Sequence, residues 1–124
     1  MNRTFIALGA FLAFLAVAAG AFGAHGLKDK VSPDMLTVFE TAARYQMYHA
    51  LALVLIGFVT EKFPGRLITV AGWLFIVGIA IFSGSLYALV LSGQRWLGAI
   101  TPIGGVAFMA GWICFGIAAL RSRA

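Results

Sequence analysis

The sequence predicts an all-α integral membrane protein, a four-helix bundle with an amphipathic interfacial extension before the second span. Hydrophobic residues make up 62% of its 124 residues, charged residues make up 10%, and the mean hydropathy is +0.99. That composition is far more apolar than a soluble domain allows. Four apolar segments are each long enough to cross a hydrocarbon core of about 30 Å. We expect one membrane domain over residues 1–124, with spans near residues 5–24, 45–60, 67–91 and 101–120.

The first span follows Arg3 and carries no charge from Phe5 to Ala24. A secretory signal peptide is the alternative, because a basic start and small residues near positions 21–24 resemble a cleavage region. The apolar run is longer than the usual core of a signal peptide, which favours a retained span.

A strong helix start precedes the second span. Ser32-Pro33-Asp34 supplies a capping hydroxyl, a proline in the first turn and an acid at the positive end of the helix dipole. A helix from Pro33 to Val59 would be roughly 40 Å long, which is more than the bilayer core requires. Residues 33–43 follow an amphipathic pattern, so we place them at the membrane interface.

The third and fourth spans each follow a polar turn. The apolar residues from Leu67 to Leu91 can cross the membrane with some tilt. Thr101-Pro102 repeats the start in which a capping residue precedes proline, and the fourth span closes at Leu120. We expect Arg121 and Arg123 to lie in water.

Small residues within the spans predict where helices approach one another closely. The clearest case is on the first span, where three small residues recur at every fourth position and would form a ridge. The helix-packing residues that we predict are Ala16, Gly20, Ala24, Gly84, Gly104 and Gly105.

Most polar side chains expected at membrane depth gather in one half of the bundle. Chain reversal brings the end of span one, the start of span two, the end of span three and the start of span four to one face. Ionisable groups inside a bilayer are rare and usually face a protein interior or a wet cavity, so this cluster is the candidate site. Its members are His25, Glu40, Arg44, Tyr45, Gln46, Tyr48, His49, Ser83, Tyr87 and Thr101.

The polar cluster has two interpretations. In the first, Gln46, Tyr48, His49 and Ser83 hydrogen-bond to one another and fix the helix register as a closed network. In the second, these side chains line a small polar pocket that opens to one membrane face.

Charge placement favours a lipid bilayer as the partner and no nucleic acid, because the net charge of +5 comes from basic residues scattered at segment ends. Glu40 and Arg44 are spaced for a surface ion pair along one helix, with a buried pair as the alternative. The excess of basic residues weakly favours cytoplasmic termini in a bacterial inner membrane. Arg3, Lys62, Arg66, Arg121 and Arg123 lie on the side of the termini, against Lys28, Lys30, Arg44 and Arg95 on the other.

Sequence motifs predict no catalytic residue, no metal site and no cofactor. The chain contains no Cys-x-x-Cys, no His-x-x-x-His and no Gly-x-Ser-x-Gly. Its one cysteine, Cys114, allows no intramolecular disulfide, and a small buried apolar role suits it best.

Four motifs occur in order along the chain: Gly23-Ala24-His25-Gly26-Leu27, Phe39-x-Thr41-Ala42-x-x-Tyr45-Gln46-x-Tyr48-His49-Ala50-Leu51, Phe82-Ser83-Gly84-Ser85-Leu86-Tyr87 and Leu97-Gly98-x-Ile100-Thr101-Pro102-Ile103-Gly104-Gly105. Together they resemble the small bacterial membrane proteins of domain-of-unknown-function family 423, over almost the whole chain. The resemblance implies a four-span inner-membrane protein, and it implies no activity.

Three functions are compatible with these features. The first is a non-enzymatic assembly or accessory protein, a homo-oligomer or a companion of another membrane protein, which uses its small-residue faces. The second is a small-solute or proton pathway with His49 as the proton handler. The third is a haem or metal protein with His25 and His49 as ligands. We favour the first, because no reactive constellation is recognisable.

Overall fold

The computed structural model describes residues 1–122, which form helices joined by turns. Arg123, which we expected to lie in water, falls outside the described residues. The α-helices in chain order are α1 (Arg3–Phe22), α2 (Pro33–Val59), α3 (Leu67–Gly78), α4 (Gly84–Ser92) and α5 (Thr101–Arg121).

Wider π turns and one narrower 3₁₀ turn extend these helices into four spans. A π turn over Gly23–Leu27 continues α1, a second over Ile79–Ser83 joins α3 to α4, and a 3₁₀ turn over Arg95–Ala99 precedes α5. The resulting segments are long and apolar enough to cross a membrane, which confirms the predicted all-α four-helix fold. They comprise Arg3–Leu27, Pro33–Val59, Leu67–Ser92 and Arg95–Arg121.

The start of α2 is capped as predicted, whereas the start of α5 is not. The Ser32 hydroxyl accepts a hydrogen bond from the Met35 amide at 3.2 Å, and Pro33 occupies the first turn of α2. The capping role predicted for Thr101 is wrong, because Thr101 already lies within α5 and Ile100 precedes it. The Thr101 hydroxyl instead lies 2.6 Å from the hydroxyl of Ser85 on α4.

The first two helices pack as a close antiparallel pair. A Cβ atom built on Gly9 would lie 2.8 Å from the carbonyl oxygen of Ala50, and one built on Gly57 would lie 2.9 Å from the carbonyl oxygen of Asn2. The Asn2 amide also donates to the Gly57 carbonyl at 2.8 Å. The two backbones therefore approach more closely than a side chain at either glycine would allow.

Several predicted packing residues lie elsewhere than at a helix contact. Gly20 and Gly84 would have no atom within 4 Å of an added Cβ, and Ala24 is exposed. Ala16 is buried, but the contact face of α1 runs through Gly9, Ala16 and the following Gly23 at intervals of seven residues. A repeat of four drifts about 40° per step around a helix, so it leaves that face.

Close approach in the second half of the chain occurs at Gly104. A Cβ atom there would lie 2.8 Å from the Cα of Phe82, in the π turn of the third span. At Gly105 the nearest contact is the Phe82 ring at 3.9 Å, an ordinary van der Waals distance. Gly104 therefore sets the separation of the third and fourth spans.

Two apolar clusters leave a polar layer between them. The larger cluster, which includes Phe5, Leu53, Ile56 and Phe75, occupies the middle of the bundle and the half nearest the termini. The smaller cluster lies toward the opposite face and consists of Leu27, Phe39, Leu89 and Val90. The buried polar side chains of the middle spans occupy the layer that separates these clusters.

Candidate functional site

Gln46 links three spans through its side-chain amide. Its Nε2 donates to the carbonyl oxygen of Leu12 on α1 at 2.8 Å, and its Oε1 accepts from the Tyr87 hydroxyl on α4 at 2.8 Å. The residue is buried, so water does not compete for either bond. Because both ends of the amide are held by different helices, Gln46 fixes the register of the spans relative to one another.

Hydroxyl groups on the third span form two further interhelical bonds. Ser83, at the end of the π turn, donates to the carbonyl oxygen of Ala42 on α2 at 2.7 Å and is 1% exposed. Ser85 meets Thr101 of α5 at 2.6 Å and also donates to the Phe82 carbonyl at 3.0 Å. These bonds connect the third span to both of its neighbours.

His49 is held at both ring nitrogens. Nδ1 lies 2.8 Å from the carbonyl oxygen of Tyr45, and Nε2 accepts from the Trp112 indole N–H at 3.0 Å. A carbonyl oxygen can only accept and an indole N–H can only donate, so the hydrogen is assigned to Nδ1 and the lone pair to Nε2. This pattern matches one neutral tautomer of the imidazole.

Aromatic rings enclose the faces of the His49 ring. Phe108 stacks on it with ring centroids 3.6 Å apart and planes 8° apart, and Phe75 meets it edge-on at 5.2 Å. The side chain is 5% exposed. The His49 ring is therefore largely covered by aromatic side chains, and both of its nitrogens already have hydrogen-bond partners.

The polar layer is closed with respect to hydrogen bonding. Among residues 1–122, no buried side-chain nitrogen or oxygen lacks a hydrogen-bond partner. The predicted pairing is nevertheless wrong in its partners, because Gln46, His49 and Ser83 bond to backbone carbonyls and to residues of other spans and not to one another. Tyr48 is 52% exposed on the outer face of α2 and takes no part in the layer.

The remaining predicted site residues lie outside the buried layer. His25 is exposed in the first π turn, and Glu40, Arg44 and Tyr45 are exposed on α2. The ion pair expected along the helix is not formed, since no guanidinium nitrogen of Arg44 lies within 4 Å of a carboxylate oxygen of Glu40. Within the described residues, no group of three or more His, Cys, Asp and Glu is placed to hold a metal ion.

Two open grooves flank the outer face of α2. The aromatic groove, of about 550 Å³, lies between α2 and α5 and is lined by Tyr45, Tyr48, His49, Phe82, Gly105, Phe108, Met109 and Trp112. The charged groove, of about 410 Å³, lies between α1 and α2 and is lined by Ala16, Gly20, Glu40, Ala43, Arg44, Met47 and Tyr48. Tyr48 forms the ridge that they share.

Sequence reasoning missed Trp112, which supplies the partner of His49 from a position 63 residues away. The one available signal is chemical, since an indole N–H that is shielded from water usually finds an acceptor. Ser85 stands outside the predicted polar cluster, yet its hydroxyl links the third span to Thr101. No local spacing relates either pair.

Residues 19–105 match the family described as "Protein of unknown function (DUF423)". The chain is 51% identical over 119 residues to a UPF0382 membrane protein of Staphylococcus epidermidis, which covers 96% of this chain and 97% of the relative. It is 50% identical over 120 residues to the UPF0382 membrane protein YwdK of Bacillus subtilis, which covers 96% of this chain and 98% of the relative. No solved structure matches the chain significantly.

Proposed function

We propose that this chain, which belongs to the DUF423 family, acts in the bilayer as a non-enzymatic assembly or accessory protein. The closed polar layer is the observation that carries this proposal. Every buried polar side-chain atom of residues 1–122 is already hydrogen-bonded, and several of the bonds run between spans. Such a layer stabilises the bundle, as polar groups between membrane helices often do. This structural use of the layer directs the search for function to the lateral surfaces of the bundle.

The distribution of polar groups argues against a conducting path through a single chain. Both ring nitrogens of His49 have partners, and residues 50–59 of α2 below it are apolar. Along α2, a proton or solute would meet no polar relay across that half of the membrane. The haem hypothesis meets a related obstacle, because an iron atom on His49 would have to displace either Trp112 or the Tyr45 carbonyl.

Photo-crosslinking in living cells tests the assembly role. A photoreactive amino acid at Met109 probes the aromatic groove, and one at Met47 probes the charged groove. Phe14 provides the matched control, because it is 65% exposed and points away from Ala16 and Gly20 around α1. We expect protein adducts at Met109 or Met47 and lipid adducts alone at Phe14. Lipid adducts alone at all three positions would refute the proposal.

For placement in the cell, we propose a bacterial cytoplasmic membrane with both termini on the cytoplasmic side. The contact between Asn2 and Gly57 puts the amino terminus beside the turn that contains Lys62. Arg3 and Lys62 therefore lie on the same side, and basic residues favour the cytoplasmic side of a membrane. In a Cys114→Ala background, a membrane-impermeant thiol reagent applied to cells should label Lys28→Cys and not Lys62→Cys. Labelling of Lys62→Cys and not of Lys28→Cys would show that the termini lie outside the cytoplasm.

A further inference from the structure

We infer that the charged groove is a self-association surface, in which Glu40 of one copy pairs with Arg44 of a second copy and the reverse. This inference rests on the assembly role proposed above and names its partner. It follows from three features of the groove: two charges that are not paired with each other, a floor of small residues, and an arrangement that complements itself.

The first feature is the pair of charges. Glu40 and Arg44 stand four residues apart on α2, in the order that suits an ion pair along the helix. Their carboxylate oxygens and guanidinium nitrogens nevertheless lie more than 4 Å apart. Counted from Val59, the last residue of the span, Arg44 lies about 22 Å along α2, which is near the far boundary of a hydrocarbon core of about 30 Å. A charge at that depth is costly without a partner or a route to water.

The second feature is the floor of the groove. A Cβ atom built on Gly20 would meet no atom within 4 Å, and the neighbouring residues Ala16 and Ala43 are small and buried. Small residues let helices of two molecules approach closely, which van der Waals packing in a membrane requires. Gly20 is free for this role because the contact between α1 and α2 uses Gly9 and Ala16 instead.

The third feature is self-complementarity. Two copies with the same membrane orientation are related by a two-fold axis along the membrane normal, so each residue pair occurs twice. Glu40 lies one helical turn, about 6 Å, from Arg44 along the axis of α2. The long arginine side chain spans that offset, so both reciprocal pairs can form across the interface.

An anionic lipid headgroup is the competing occupant of the groove. It would satisfy Arg44, but its phosphate would also face the carboxylate of Glu40 in the same groove. Like charges so close disfavour the complex, whereas a second copy brings a cation for Glu40 and an anion for Arg44 together. The charge pattern therefore favours the second copy over an anionic headgroup.

Charge reversal in lipid bilayers provides the test. Two differently labelled copies of the full chain are reconstituted into vesicles of zwitterionic lipid, and their association is followed by energy transfer over a range of protein-to-lipid ratios. We expect Glu40→Arg and Arg44→Glu each to weaken association by about tenfold or more, since each reversal replaces two attractions with two repulsions. The double reversal should restore it, because the reciprocal pairs reform with exchanged signs.

Two controls separate pairing from folding and from net charge. Lys28→Glu changes the net charge as Arg44→Glu does, but at an exposed residue beyond the groove, and should leave association unchanged. Gly20→Leu fills the groove without meeting any atom within 4 Å of its Cβ, so it should abolish pairing while the helical circular dichroism is retained.

Each other outcome overturns the inference. Association that tolerates both single reversals, or that the double reversal fails to restore, excludes the reciprocal pairs. Loss with Arg44→Glu alone, together with binding that requires anionic lipid, identifies a headgroup site instead. Adducts at Met47 to a different protein, with no energy transfer between copies, would refute self-pairing and leave the assembly role standing.

Discussion

Replacing Gln46 with leucine tests whether the polar layer holds the spans together. The change keeps the approximate size of the side chain but removes its bonds to Leu12 and Tyr87. Interhelical hydrogen bonds in membrane proteins contribute about 0.6 kcal/mol on average and up to about 1.7 kcal/mol, so losing two should cost about 1–3 kcal/mol. The free energy of unfolding would be measured by titration in mixed micelles and followed by circular dichroism.

A double-mutant cycle with Tyr87→Phe isolates one of these bonds. Gln46→Leu alone leaves the Tyr87 hydroxyl without its partner, whereas the double variant removes both groups. We expect the double variant to be more stable than the sum of the single changes predicts, by about 0.6–1.7 kcal/mol. The matched control pairs Gln46→Leu with Thr60→Val, because the Thr60 hydroxyl donates to the Ile56 carbonyl near the far end of α2, and these effects should add.

One outcome of the double-mutant cycle would contradict a structural role for the bond between Gln46 and Tyr87. A coupling free energy near zero between Gln46 and Tyr87, as small as that of the control pair, would mean that this bond does not stabilise the folded protein. The account of the polar layer as a structural network would then fail at its central residue.

Two further predictions concern other parts of the fold. Gly104→Ala should lower the free energy of unfolding by about 1–3 kcal/mol, because its Cβ would lie 2.8 Å from the Phe82 Cα. Gly84→Ala, where no atom lies within 4 Å of the added Cβ, should be neutral or slightly stabilising, because alanine is the better helix former. Equal costs at the two positions would contradict the packing. The pKa of the exposed Glu61 carboxyl lies below its ordinary value because the amino terminus of Met1 donates a hydrogen bond to it and adds a nearby positive charge. The ion pair therefore stabilises the fold above the unfolded pKa of Glu61, and this stability is lost as the pH falls through the lowered folded pKa. Acetylation of the amino terminus should raise the pKa of Glu61 in an NMR titration. An unchanged pKa would refute the pair.

The sequence predicts those features that depend on residues close together in the chain. Each apolar run identifies a span, and Ser32-Pro33-Asp34 predicts the start of α2 because a cap needs only its own first turn. Grouping polar residues by depth also places Gln46, Ser83 and Tyr87 in one layer. Helix rise alone supplies that information.

The partners within the layer depend on rotation and register, which short spacing does not encode. The bonds from Gln46 to Leu12 and from Trp112 to His49 join residues 34 and 63 positions apart. The π turn over Ile79–Ser83 rotates Ser83 relative to α3, and its apolar residues carry no signal for the extra backbone width. The ridge that includes Gly20 is not covered by another helix of residues 1–122, because spacing identifies a face and not what covers it.

The most direct test of the closed layer is the state of His49 in a lipid bilayer. Solid-state NMR of the reconstituted protein, with ¹⁵N-labelled histidine and Trp112→Phe as a reference for Nε2, reports which ring nitrogen carries hydrogen and whether water contacts the ring. We predict a neutral imidazole protonated at Nδ1, with Nε2 accepting from the Trp112 indole and no water contact. A ring protonated at Nε2, or one in contact with water, would contradict the closed layer and direct attention to a hydrated site.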